Sequence, residues 1–152
     1  MNFDDLKLIL VPTDFSESSD VALHAAVRLA QTFHAAIEVF HVDINPALVL
    51  PPPLDTISIP VLFERVLADT AERLERVVTE VRQAGVTCSS AEELGRSYTA
   101  IIERAKLAGA GMIVMGSHGR HALGHALLGS VAEKVVEHAP CAVLVVPVAP
   151  HA

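Results

Sequence analysis

Four short, almost uninterrupted apolar runs and a weaker fifth, separated by amphipathic stretches, constrain this chain more than any other feature. "LKLILVP" (6–12), "AIEVFHV" (36–42), "MIVMG" (112–116) and "CAVLVVPV" (141–148) read as buried strands, and "VTCSSAEEL" (86–94) as the weaker one. Between the first two, Ala22, Ala26, Leu29 and Phe33 recur at spacings of four, three and four, a helix face within Ser16 to Phe33. Val61 to Gln83 reads as a charged helix with Leu67, Leu74, Val78 and Val81 inward. Its Asp69/Arg73 and Glu72/Arg76 pairs, at i,i+4, suit a solvated face. Further helices are expected from about Ser97 to Ala108 and from Ser130 to His138. Apolar strands alternating with helices call for a parallel sheet covered on both sides. The expected fold is a five-stranded doubly wound α/β sheet, one domain spanning residues 1–152.

Composition narrows the partners. With 51% apolar and 19% charged residues the chain is not of the disordered class. The net charge is -7, with no run of Lys or Arg, and an acidic chain repels a phosphate backbone, so no nucleic acid is expected. "MNFDDLKLILVP" has no basic segment, and its apolar run is too short for a signal or a membrane span. A cytoplasmic protein with no membrane partner is the expectation. Cys88 and Cys141 are assigned to strands three and five, at opposite ends of the sheet. Four strand spacings, about 19 Å, exceed disulfide reach.

Two segments break the regular pattern. "INPALVLPPPLDTISIP" (44–60) holds five of the nine prolines, and a loop of that length in a compact domain is usually functional. "GSHGRHALGHALLGS" (116–130) holds four of the eight glycines and joins a strand to a helix. Such connections lie at the carboxyl edge of a parallel sheet, where ligands bind at the topological switch point. A helix starting at Ser130 offers unpaired amides and a positive dipole end, and Gly116, Gly119 and Gly129 would let backbone approach an anion. Each site residue also has a purely structural reading. Ser130-x-x-Glu133 and Asp14-x-x-Glu17 both have capping-box spacing, and Gly124 can serve as a simple turn.

Common nucleotide and nucleophile motifs fail here. "GRHALGHA" (119–126) has Walker A glycine spacing, but His125 and Ala126 stand where Lys and Ser/Thr are needed. "GAGMIV" (109–114) precedes a strand instead of following one, and "GSHG" is no nucleophile elbow around Ser117. His118, His121 and His125 cluster, but flanking glycines and the lack of a nearby carboxylate argue against a metal site.

What does match is Gly116-x2-Gly119-x9-Gly129-Ser130, which resembles the ATP-binding loop of the universal stress protein family. "VMGSHGRHALGHALLGSVAEKVVEHAPCAVLVVP" is similar to that family's C-terminal signature, and "ILVPTDFSESSDVAL" (9–23) to its opening. The resemblance covers the whole chain and implies a Rossmann-like strand order 3-2-1-4-5. Strands one and four are then central neighbours, and Asp14 and Gly116 flank the switch crevice. It implies that Asp14 contacts the adenosine portion and that the Val42 backbone meets adenine. Gly116, Gly119, Gly129 and Ser130 would hold ribose and phosphates, with Pro12, Thr13, Met115, His118, Arg120 and Val131 flanking them. The implied ligand is ATP, or ADP or AMP, with Mg²⁺ on the phosphates. The family also dimerises through its fifth strand; here that strand is an apolar edge, and Pro147 suits an edge.

The resulting expectation is a homodimeric adenine-nucleotide-binding stress-response switch or sensor. The rivals are a slow ATPase or phosphotransferase, and a dimeric scaffold with an empty pocket. Residues 116–130 carry one formal cation, Arg120, whereas fast phosphoryl transfer relies on several placed charges, so any hydrolysis should be slow.

Overall fold

The computed structural model describes residues 5–44, 58–118 and 128–148. Its elements alternate: β1 (Leu8–Pro12), α1 (Glu17–Phe33), β2 (Ala36–Asp43), α2 (Ser58–Gln83), β3 (Cys88–Leu94), α3 (Ser97–Ala108), β4 (Met112–Gly116), α4 (Ser130–His138) and β5 (Ala142–Val146). All pairings are parallel, in the order β3-β2-β1-β4-β5. The expected doubly wound sheet is therefore present.

The sheet is buried on both faces because side chains alternate across each strand. Ile9, Val11, Ile37, Val39, Met112 and Val114 pack with α1 and α2, through Ala22, Ala26, Leu74, Val78 and Val81. Leu10, Phe40, Ile113 and Met115 pack with α3 and α4, through Ala100, Ile101, Ala105, Ala132 and Val135. Each fully buried Ile or Val contributes about 1.5–3 kcal/mol. Central β1 and β4 are almost wholly buried, whereas β3 is mostly exposed. That exposure explains the weak pattern "CSSAEEL": an edge strand need be apolar on only part of one face.

Two carboxylates of β2, Glu38 and Asp43, are buried in this sheet. Glu38, in β2, is 7% exposed and takes a bidentate bond from Arg104 of α3, both contacts at 2.7 Å. This bond pushes the Arg104 guanidinium above its usual range, so it stays charged.

Several boundaries differ from expectation for local reasons. α2 starts at Ser58, not Val61, because Pro60 in a first turn needs no intrahelical donor. Leu67 is only half-buried, unlike Leu74, Val78 and Val81, and of the two spaced pairs Asp69–Arg73 closes, at 2.9 Å. β5 ends at Val146, so Pro147 follows the strand and lends no support to an edge assignment. Cys141 likewise precedes β5; it and Cys88 are free thiols. Of the proline-rich segment, residues 45–57 lie outside the described residues. No helix among the described residues is long and apolar enough to cross a membrane.

Candidate functional site

Parallel strands place all their C-terminal ends on one edge, and the chain turns there from β1 into α1 and from β4 toward α4. Thr13 extends the β1–β2 ladder, its amide donating to the Phe40 carbonyl at 2.8 Å. Its hydroxyl accepts from the Phe15 amide at 3.0 Å and donates to Ser19 Oγ at 3.1 Å. Asp14 Oδ1 accepts from the Ser16 amide at 3.0 Å. Phe15 is left-handed, at φ 59°, and this sharp turn stops a helix from starting at Asp14. The capping-box reading of Asp14 and Glu17 is thereby corrected: the N-cap is Ser16, whose hydroxyl accepts from the Ser19 amide at 3.3 Å.

The first turn of α1 serves β4 as well as β1. The Ser18 hydroxyl accepts from the His118 amide at 3.4 Å. A Cβ on Gly116 would lie 2.7 Å from the Ser18 carbonyl oxygen and would also meet its hydroxyl. Glycine at 116 therefore lets α1 close onto β4, a packing role that the anion argument had not assigned to it. Ser117 is buried, and its hydroxyl lies 2.9 Å from His118 Nδ1.

At the far end of the connection, the Gly129 amide donates to the Ser117 carbonyl at 2.7 Å. Gly129, not Ser130, is the N-cap of α4, and among the described residues no side chain caps that helix. Ser130 is the first helical residue and exposed, so the Ser130/Glu133 capping box is not formed. At such a start the first-turn amides, those of Ser130 and Val131 among them, have no intrahelical partner.

β2 supplies the other wall. Val42 packs with the α3–α4 face, while His41 and Asp43 alternate to the α2 face. His41 Nδ1 lies 2.8 Å from the Thr13 carbonyl and Nε2 3.3 Å from Asp43 Oδ1. The Phe15 ring lies 4.8 Å from the imidazole, and the Arg73 guanidinium 5.5 Å from the Phe15 ring.

Thus Pro12, Thr13, Asp14, Val42, Met115, Gly116, His118, Gly129, Ser130 and Val131 all stand at the ends of β1, β2 and β4 or the start of α4. Gly119, Arg120, His121, Gly124 and His125 lie outside the described residues. Among the described residues no three ligating side chains gather for a metal. A depression lined by Glu72, Glu75, Arg76, Thr79, Glu80 and Gln83 is an open helix surface on α2, whose end meets the start of β3 through Arg82 and the Cys88 carbonyl. Its Gln83 end, beside the start of β3, lies toward the opposite edge. Sequence reasoning missed Ser18, Ser19, His41 and Asp43. The polar alternation His41-x-Asp43 inside an apolar run was the available signal.

Comparison with known proteins agrees with this architecture. Residues 6–147 match the model of the universal stress protein family. The chain is 35% identical over 141 residues to universal stress protein MJ0531 of Methanocaldococcus jannaschii, covering 92% of this chain and 81% of that protein. It superposes on the structure of the hypothetical protein MJ0577 with a TM-score of 0.86 at 27% identity, covering 96% and 99% of the two chains. A universal stress protein solved in complex with cAMP shares the fold, with a TM-score of 0.69 at 22% identity and coverage of 93% and 97%. By its sequence and its fold, the chain belongs to the universal stress protein family.

Proposed function

We propose that this protein binds an adenine nucleotide at the crevice between β1 and β4 and acts as a cytoplasmic stress-response switch or sensor. The observation carrying this reading is the uncapped start of α4, tied through Gly129 to Ser117 beside the β1–α1 turn. A helix start without a side-chain cap, at the switch point of a doubly wound sheet, is suited to phosphate. The cAMP complex of a fold neighbour supports the ligand class.

In this reading Asp14 faces the adenosine portion, with Pro12 and Thr13 beside it, and the Val42 backbone meets adenine. Met115, Gly116, His118, Gly119, Arg120, Gly129, Ser130 and Val131 surround ribose and phosphates. ATP is the expected nucleotide, with ADP and AMP as alternatives. Mg²⁺ offsets phosphate charge that Arg120, the one formal cation of residues 116–130, does not. With so few cations hydrolysis is slow, and nucleotide binding rather than turnover is the signal.

The working form is a homodimer joined through β5. Among the described residues that strand pairs only with β4, and it is half-buried, with Leu144 exposed. An apolar edge of this kind invites a second strand. Sedimentation should show a dimer at micromolar concentration; a monomer there would refute this part. Calorimetry with ATP and Mg²⁺ tests the pocket. Binding heat and a raised melting temperature are expected, and the absence of both would favour an empty-pocket scaffold.

A further inference from the structure

Both ring nitrogens of His41 face acceptors. Nδ1 lies 2.8 Å from the Thr13 carbonyl oxygen, which has no proton to give, so Nδ1 donates. Nε2 lies 3.3 Å from Asp43 Oδ1, which also accepts from the Thr70 hydroxyl at 3.3 Å. A neutral ring carrying its proton on Nδ1 would aim a lone pair at that carboxylate. Asp43 is 5% exposed, and its Oδ2 has no hydrogen-bond partner. A carboxylate so placed needs a compensating charge, which a doubly protonated ring supplies.

Among the described residues, the charged groups around the ring are engaged elsewhere or exposed. From the β1–α1 turn come Asp14, bonded to the Ser16 amide, and the uncharged Phe15 ring. From α2 come Thr70 and, across Phe15, Arg73, which is paired with Asp69 at 2.9 Å. From β3, Glu92 is the register partner of His41, and its side chain is exposed.

Thr13 and Asp43 belong to different strand ends and directly adjoin Asp14 and Val42. We infer that the nucleotide site is proton-linked through His41: the protonated ring bridges the Thr13 carbonyl and the Asp43 carboxylate, holding the two strand ends that receive the nucleoside. Loss of the proton leaves the ring able to serve only one acceptor, and the base end of the site slackens. This inference rests on the nucleotide reading above. His41 acts as a positioning residue. Linkage is reciprocal, so binding takes up a proton and affinity falls as pH rises.

The test is calorimetry of ATP and Mg²⁺ with the full chain at about pH 6, 7 and 8, a range that spans histidine titration, in buffers of different ionisation enthalpy. Wild type is compared with His41→Asn, which keeps a donor for Thr13 but does not titrate. Every other titrating group, the ATP phosphates among them, is common to both proteins, so the difference isolates His41. Wild-type affinity is expected to fall at least about threefold more than the variant's across this range, with an extra proton uptake that the variant lacks. Nitrogen-15 spectra of the wild-type ring with ATP and Mg²⁺ bound at about pH 7 should show both nitrogens protonated, a readout that does not depend on the variant folding. A ring protonated at one nitrogen, or equal pH profiles in a folded variant, overturns the link. Absence of ATP heat from wild type at every pH removes the nucleotide reading itself, and the link with it.

Discussion

The Gly129 amide and the Ser117 carbonyl meet at 2.7 Å, so a backbone bond closes the neck of the connection between β4 and α4. The Ser117 amide, donating to the Val146 carbonyl at 3.1 Å, ties the same point to β5. A closure of this kind does not depend on the side chains between its ends. Changes within the connection should therefore act on the ligand more than on the fold.

Gly119→Val is the first consequence. If the Gly119 backbone approaches phosphate, a β-branched side chain blocks it. ATP affinity should fall at least about tenfold, or roughly 1.4 kcal/mol, with the melting temperature unchanged. Gly124→Ala, outside the family pattern, should keep its affinity. Equal losses from both substitutions would mean general loop damage.

Gly116 behaves in the opposite way. Gly116→Ala places a methyl group against the carbonyl and hydroxyl of Ser18, and overpacking of this kind costs about 1–3 kcal/mol. Denaturant melts should show the loss without any nucleotide. Ser18→Ala in the same chain should recover only part of it, because the carbonyl clash persists. Unchanged stability in Gly116→Ala would contradict the close packing of α1 on β4.

These two glycines show how far the sequence could be read. The fold was legible because β1 and β4 are apolar on both faces and the helices keep their spacing. The edge that carries the candidate site was legible because every parallel strand ends on one edge. Left-handed Phe15 was not legible, and it moved the cap of α1 from Asp14 to Ser16. Nor did spacing show that Gly116 answers to Ser18, a residue nearly a hundred positions earlier. Such contacts arise only when strands neighbouring in space are distant in the chain. His41 and Asp43 were hidden for a similar reason, since their partners Thr13 and Thr70 lie on other elements.

The Glu38–Arg104 pair gives a stability prediction. Arg104→Met strands a carboxylate that is 7% exposed, and breaking such a pair on one side should cost about 3 kcal/mol. Replacing both residues together, as Glu38→Leu with Arg104→Leu, should restore most of the loss. A double variant no more stable than Arg104→Met would show that the pair does more than satisfy itself.

Cys88 should be inert in the native state. Burial pushes its thiol from 9.0 up to about 11 despite the opposing charge of Arg82. A folded value raised above the unfolded one stabilises the fold fully below the unfolded value, and this contribution disappears as pH rises from 9.0 toward about 11. At about pH 8 iodoacetamide should modify Cys88 only as fast as the chain opens. Alkylation of native Cys88 at the rate of the unfolded chain would contradict this burial.

Amide chemical-shift mapping with ATP and Mg²⁺ tests the central claim most directly, since it both detects binding and locates it. The account predicts that shifts concentrate at Thr13, Asp14, Val42, Gly116, Gly129, Ser130 and Val131, at the ends of β1, β2 and β4 and the start of α4. The end of α2 from Thr79 to Gln83, toward the opposite edge, should stay unmoved. No shifts at saturating nucleotide, or shifts confined to that end of α2, would contradict a nucleotide site at the crevice between β1 and β4.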